Sequence, residues 1–176
     1  MIELYIGLIL VIVIIIYAIL KYNELKYFQI QVDKKWGRIN IILKKRYDLI
    51  PQLVEIVKGY AKHEKDTLVD VAKLRSEWQN TDSQKTQTTI ASEIETNLAK
   101  IAIVVENYPK LKADKSFSKL SKELVITENQ LAKHRLNYNE SVARYNVRVN
   151  MFPRLIFAKL FKFKEKGFFQ FEENED

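Results

Sequence analysis

An almost unbroken apolar run at the amino terminus, Ile2 to Leu20, constrains this chain more than any other feature. No residue from Leu4 to Leu20 is charged. At a rise of about 1.5 Å per residue, a helix of this length just crosses a hydrocarbon core of about 30 Å. Tyrosines, which are enriched at membrane interfaces, lie near both ends of the run: Tyr5, Tyr17, Tyr22 and Tyr27. We therefore predict a transmembrane anchor at residues 1–21.

A cleaved signal peptide, a hydrophobic hairpin element and a buried core helix fit this run less well. A signal peptide begins with basic residues and ends at a small-x-small site, whereas Glu3 is the first charged residue here and Lys21-Tyr22-Asn23 follows the run. A buried helix of this length rarely lacks charge throughout. The chain contains no cysteine, which excludes a lipid-modified lipoprotein.

The charges that flank the run predict its orientation. Glu3 lies on the amino-terminal side, and five basic residues follow the run: Lys21, Lys26, Lys34, Lys35 and Arg38. Because basic flanks stay in the cytoplasm, we expect a single-pass protein of the cell membrane with its amino terminus outside and its large domain in the cytoplasm.

Residues 22–152 are predicted to form an all-α domain. The chain has only four glycines and three prolines, so it has few turns from which to build a sheet. Apolar residues recur at helical spacing in four segments, approximately 25–50, 53–78, 90–105 and 117–149. This pattern predicts an antiparallel bundle of about four helices. The first of these helices is expected to continue directly from the anchor, since neither Gly nor Pro interrupts Lys21 to Asn23.

Prolines and polar stretches predict where the helices end. Pro51 should break the first helix near Asp48, and the last long helix should end before Phe152-Pro153. The polar stretch from Asn80 to Thr89 is expected to be a loop, with Asp82 or Ser83 capping the next helix. That helix should end at Tyr108-Pro109, and the short connection to Lys115 favours antiparallel neighbours.

The motifs of the chain resemble those of the LemA family of bacterial membrane proteins. The segment Arg46-Tyr-Asp-Leu-Ile-Pro-Gln-Leu-Val54 with its continuation to Glu64 carries the resemblance. The motifs Glu106-Asn-Tyr-Pro109, Thr127-Glu-Asn129, Tyr138-Asn139, Tyr145-Asn146 and Phe152-Pro153 follow in order. The resemblance implies an amino-terminal membrane helix and an elongated helical domain on the cytoplasmic side. It implies no catalytic residue, and His134 departs from the small residue expected at its position.

The sequence offers no arrangement typical of an enzyme or of a cofactor site. Cysteine is absent, and His63 and His134 are isolated, so converging metal ligands are not expected. We interpret His63 as a solvent-facing helix residue. No glycine cluster is present to cradle a phosphate, and no serine lies in a nucleophile elbow. The net charge of +7 is mixed along the chain, which disfavours nucleic acid as a partner. We therefore predict a non-enzyme without cofactor or metal.

Two polar groups are candidate interaction sites. Arg46 and Asp48 beside Pro51 form either a binding notch or a structural corner in which Asp48 caps the next helix. Asn129, and the pair Asn139 and Asn146 seven residues apart, form either a buried polar seam that fixes helix register or a recognition surface.

The carboxy-terminal segment, residues 153–176, is basic and aromatic with an acidic end. It either packs on the end of the bundle or lies in an anionic membrane surface. The final residues, 172–176, are expected to be disordered. Seven residues are candidate membrane-surface contacts: Arg154, Phe157, Lys159, Phe161, Lys162, Phe163 and Lys164.

These features favour a membrane-anchored, non-catalytic helical scaffold or adaptor with a membrane-associated protein partner. The alternative is a self-associating protein that organises the membrane by binding anionic lipid through its carboxy-terminal segment. An enzyme is disfavoured, and a regulatory subunit of an enzyme would be an adaptor whose partner is that enzyme. Membrane lipid and a second copy of the chain are further predicted partners.

Overall fold

The described part of the chain is built from α-helices alone. The computed structural model describes residues 1–61 and 65–170. His63 and the acidic end at 172–176 lie outside the described residues. Seven helices follow one another: α1 (Ile2–Tyr47), α2 (Ile50–Tyr60), α3 (Lys65–Gln79), α4 (Gln84–Glu106), α5 (Pro109–Lys112), α6 (Lys115–Asn150) and α7 (Arg154–Leu160). The predicted all-α class is confirmed.

Helix α1 contains the apolar run and continues beyond it without a break, as predicted. The large apolar side chains from Ile2 to Leu20 are between 37% and 77% exposed. A helix that is apolar on every face requires either a protein core or lipid around it, and here no core covers the run. Among the described residues, α1 is the one helix long and apolar enough to cross a membrane.

Three helix ends lie where the prolines predicted them. Helix α1 ends at Tyr47, and α2 begins at Ile50 with Pro51 in its first turn, where the missing N–H is tolerated. Helix α4 ends at Glu106, before Pro109. Helix α6 ends at Asn150, ahead of Pro153. The Phe152-Pro153 peptide bond is cis.

The second apolar segment, 53–78, forms two helices instead of the single helix that was predicted. The backbone leaves the helical conformation at the buried Ala61, whose N–H still bonds to the carbonyl of Val57. Gly59, which has low helix propensity, lies in the last turn of α2 and favours an end there. The next helix, α3, packs against both α2 and α4.

The loop predicted from Asn80 to Thr89 is wrong in its second half. Helix α4 already begins at Gln84, and Ser83 is its cap, accepting a hydrogen bond from the Thr86 N–H at 3.4 Å. Thr88 and Thr89 lie inside the helix and donate to the carbonyls four residues earlier, at 2.9 and 3.3 Å. These bonds give both threonine hydroxyls a partner inside the helix.

The chain divides into two compact units. The first unit consists of Met1–Gly37 and Leu136–Phe168. Its core is formed by Leu25, Val32, Trp36, Tyr138, Val142 and Tyr145. The second unit contains the described residues of 38–135 and 169–170. Its core includes Leu43, Ile50, Leu68, Ile94, Leu111 and Leu131. The finer expectation of one antiparallel bundle of about four helices is not confirmed, and the domain boundaries at residues 21 and 152 stay predictions.

Candidate functional site

Arg46, in the last turn of α1, is the most deeply buried charged side chain among the described residues of the second unit. It is 3% exposed. Its Nη2 lies 2.7 Å from the Glu95 carboxylate of α4 and 3.6 Å from the Glu128 carboxylate of α6. A cation in the last turn of a helix also interacts favourably with the helix dipole. One guanidinium therefore joins three helices of this unit.

Glu95 is held in an unfavourable environment for a charged carboxylate. Burial raises its pKa from 4.5 to about 7. The positive charges of Arg46 and Arg135 lower the pKa of Glu95, and the negative charge of Glu128 raises it further. Its Oε1 is buried without a hydrogen-bond partner among the described residues. Glu95 consequently changes charge near neutral pH, which most carboxylates do not.

An apolar groove between α4 and α6 ends at this cluster. The groove has a volume of about 420 Å³. Its polar end is formed by Arg46, Glu95 and Glu128, and its other lining side chains are mainly apolar: Leu53, Leu98, Ala99, Ile101, Ala102, Phe117, Ser121, Leu124 and Val125. Several of the lining residues are exposed, among them Ala99, Ala102 and Val125. A groove of this size and composition suits the apolar side chains of a partner helix.

Asp48 and Pro51 lie at the corner between α1 and α2. Arg75 of α3 fixes this corner, since its Nε donates to the carbonyl of Tyr47 at 2.9 Å and its Nη2 lies 3.5 Å from Asp48. The cap of α2 is Leu49, which makes no side-chain cap bond, so the expectation that Asp48 caps this helix is wrong. Asp48 instead pairs with the guanidinium of Arg75. Both Asp48 and Pro51 are exposed.

The three candidate asparagines lie in different surroundings. Asn129 is exposed in the second unit, whereas Asn139 and Asn146 are half-buried in the first. Asn146 binds the backbone of Lys166 twice: its Nδ2 donates to the carbonyl and its Oδ1 accepts from the N–H, both at 2.9 Å. The structure thus gives Asn146 a role in holding the extended segment after α7. A role of the three residues in partner recognition stays a prediction.

The carboxy-terminal segment packs on α1 within the first unit. The ring of Phe157 lies 5.6 Å from that of Tyr17, and Tyr22 contacts Phe161 and Phe163 at 5.0 and 5.6 Å. Arg154 binds Glu24 through its Nη2 at 3.1 Å. Three other candidates, Lys159, Lys162 and Lys164, are exposed.

Hydrogen bonds from α6 hold the extended residues that follow α7. The hydroxyl of Tyr145 donates to the carbonyl of Lys164 at 3.0 Å, and that of Tyr138 donates to the carbonyl of Gly167 at 2.9 Å. Burial, with a smaller contribution from the charge of Asp33, raises the pKa of Tyr138 to about 12, so its hydroxyl remains a donor at neutral pH. These bonds explain how a segment without regular structure keeps one path across the helix.

Glu95 and Arg75 were not recognised from the sequence, and Glu128 was recognised only as part of the Thr127-Glu-Asn129 motif, without its partner Arg46. Glu95 carried a usable signal, since it lies on the apolar stripe of α4 between Ile94 and Leu98. A charged residue at such a position requires a partner when it is buried. Arg75 carried none, because a charge on a helix has the same local sequence pattern whether or not it has a distant partner.

No group of three or more potential metal-binding side chains occurs among the residues the structure describes. That the protein is not an enzyme and needs no cofactor stays a prediction.

Comparison with known proteins gives a family match and a similar protein. The model of the LemA family matches residues 35–176. The Protein LemA of Metamycoplasma hominis is 27% identical over 131 residues, which make up 74% of this chain. The chain spans 60% of the length of that relative.

Proposed function

The chain belongs to the LemA family, and we propose that it is a membrane-anchored, non-catalytic scaffold or adaptor. Helix α1 holds it in the cell membrane, and the groove between α4 and α6 binds an apolar helix of a membrane-associated protein. The groove, which ends at the Arg46 cluster, is the observation on which the proposal depends. Self-association through the same surface would make a second copy the partner.

The anchor is supported by the exposure of its side chains. Large apolar residues along a helix of this length remain uncovered by the rest of the described chain, and water is an unfavourable environment for them. The basic residues after Leu20 favour a cytoplasmic location for the helical units.

The groove is suited to a helix because its apolar walls are two helix faces. A partner helix that presents apolar residues at positions i, i+3, i+4 and i+7 would fill it. The Arg46 cluster at its end limits which residues fit there, since a buried charged group disfavours an apolar side chain that displaces its hydrogen bonds. Apolar contacts supply the affinity, and the charged end supplies the register.

Site-specific photo-crosslinking in native membranes tests the adaptor function. A photoreactive amino acid replaces Ala102 or Val125 in the groove, and the control probe replaces Lys73, whose side chain is 73% exposed on α3 of the same unit. We expect one recurrent protein, or the chain itself, at both groove positions and not at the control. Equal, unspecific products at all three positions would refute the groove as the docking surface.

A further inference from the structure

Helix α7 and the residues after it present an apolar edge that the rest of the first unit does not cover. Ile156 and Leu160, four residues apart on one helix face, are 55% and 67% exposed. Phe152 and Phe161, which flank them in sequence, are 77% and 41% exposed. The opposite side is inward, since Ala158 is buried and Phe157 packs on Tyr17.

This edge lies on a short helix that contacts α1 near the end of the apolar run. The contact between Phe157 and Tyr17 places α7 beside the last turns of the apolar run. The neighbouring side chains of that run, Ile16, Ile19 and Leu20, are 53%, 53% and 59% exposed. If lipid surrounds the run, the same lipid reaches the edge of α7.

The charge around the edge is positive. Lys159, Lys162 and Lys164 are exposed, and none of them forms an ion pair within the part of the chain that the structure describes. The other two cations of the carboxy-terminal segment form ion pairs, Arg154 with Glu24 and Lys166 with Asp33. Glu165, the one acidic residue of 154–170, accepts a hydrogen bond from Asn150.

We propose that residues 152–164 form an interfacial membrane segment selective for anionic lipid. Ile156, Leu160 and Phe152 enter the boundary between headgroups and acyl chains. Lys159, Lys162 and Lys164 contact lipid phosphates on the side of the bilayer where α1 emerges. The inference rests on the anchoring proposed above. It assigns a different function to each side of the segment, since the opposite side is attached to α1 by Arg154, Phe157, Phe161 and Phe163.

The apolar surface of α1 and the exposed lysines favour lipid over a protein as the partner of this edge. The edge joins a surface that already requires lipid, and its charges complement anionic headgroups. Membrane attachment is strongest when an apolar and an electrostatic contribution act together. Both are present within a few residues here.

The absence of cysteine makes a direct test simple, since every introduced cysteine is unique. Ile156→Cys probes the edge, Ile12→Cys the anchor, and Ile103→Cys is a matched control that is 66% exposed in the second unit. Each full-length variant is labelled with a nitroxide and reconstituted in vesicles of phosphatidylcholine, with or without phosphatidylglycerol. Collision rates are measured with oxygen, which concentrates in lipid, and with a nickel chelate, which remains in water.

We expect positions 12 and 156 to collide mainly with oxygen, and position 103 mainly with nickel. Phosphatidylglycerol should lower nickel collisions at position 156 several-fold, and replacing Lys159, Lys162 and Lys164 by Gln should abolish that dependence on lipid charge. Nickel collisions at 156 as frequent as those at 103, with position 12 in lipid, would overturn the interfacial segment and leave the anchor intact. Protection of 156 from both reagents would mean that protein covers it, which also overturns the inference. Nickel access at position 12 would instead refute the anchoring itself.

Discussion

At the scale of single residues, Trp36 connects two helices of the first unit. Its ring lies 5.5 Å from that of Tyr138, which joins α1 to α6, and the side chain is 7% exposed. Trp36→Ala should lower the free energy of unfolding by roughly 3–5 kcal/mol, because a large buried ring leaves a cavity when it is removed. Urea denaturation of the full chain in detergent, followed by helical circular dichroism, measures this loss.

A matched control for Trp36 is Ile41→Ala, since Ile41 lies in the same helix and is 67% exposed. It should change the free energy of unfolding by much less than 1 kcal/mol. A loss below about 1 kcal/mol for Trp36→Ala as well would show that the ring contributes little to packing.

The raised pKa of Glu95 should give the folded chain an unusual dependence of stability on pH. Its folded pKa of about 7 exceeds its ordinary value of 4.5, so between these values the unfolded chain has released a proton that the folded chain retains. The free energy of unfolding should therefore fall as pH rises from 4.5 to 7 and stay constant above 7. At about 1.4 kcal/mol for each tenfold change in an acid constant, the decline is on the order of 3 kcal/mol.

Glu95→Gln should remove this decline, because glutamine keeps the shape of the side chain without its titration. Denaturation at pH 5 and pH 8, read from the fluorescence of the buried Trp78, compares the variant with the parent chain. Glu93→Gln, at an exposed position of the same helix, is the control and should leave the pH dependence unchanged. An unaltered decline in Glu95→Gln would contradict the assignment.

The role of a residue could be predicted from the sequence only where that role depends on residues close to it in the chain. The end of α1 near Asp48 followed from Pro51, whose ring and missing N–H act locally. The partner of Asp48, Arg75, follows it by 27 positions and meets it only in the folded chain. The burial of Arg46 likewise depends on Glu95 and Glu128, which no local pattern connects to it.

At the scale of elements, the extended residues after α7 depend on α6. Asn146→Ala removes two hydrogen bonds to the backbone of Lys166 and should cost about 1–3 kcal/mol, since it leaves a partly buried donor and acceptor without partners. In this variant, amide hydrogen exchange of residues 163–168 should become faster, because the segment opens locally while the rest of the first unit stays folded.

Asn129→Ala is the control for Asn146, because it changes the same residue type in the same helix at an exposed position. It should not alter exchange in residues 163–168. Equal exchange in the parent chain and Asn146→Ala would show that the two tyrosine hydroxyls suffice to hold the segment.

Helices were predictable from the sequence, whereas the path of the carboxy-terminal segment was not. Periodic apolar residues and three prolines are local signals, and they located α1, α6 and the end of α4 well. The segment after α7 has neither signal, since its path is set by side chains of α6 that bind its backbone. Such bonds depend on tertiary structure and leave no periodicity in the segment itself.

At the scale of the whole molecule, the basic flank of the apolar run predicts which side of the membrane each end occupies. A membrane-impermeant maleimide should label Ile2→Cys in intact cells, and it should label Lys26→Cys only after the membrane is permeabilised. Both positions are exposed in α1, so accessibility depends on the membrane alone. The reverse pattern would place the helical units outside the cell.

Family and helical class were readable from the sequence, but the division into two units was not. Ordered motifs identified the family, and the family model matches most of the chain. The two units share helices α1 and α6, so no linker, glycine cluster or change of composition marks their boundary. Contacts between distant segments define it, and these become visible only in three dimensions.

The most direct test of the scaffold function compares what the full chain and a groove-filled variant retain from native membranes. Ala102→Trp fills the groove from an exposed position, and Ala132→Trp adds the same bulk at an exposed site of α6 that does not line it. Both variants are purified after mild crosslinking, and their partners are quantified by mass spectrometry. We predict that one protein, or a second copy of the chain, is lost from Ala102→Trp and retained by Ala132→Trp. Identical partners for the parent chain and both variants would contradict docking in the groove.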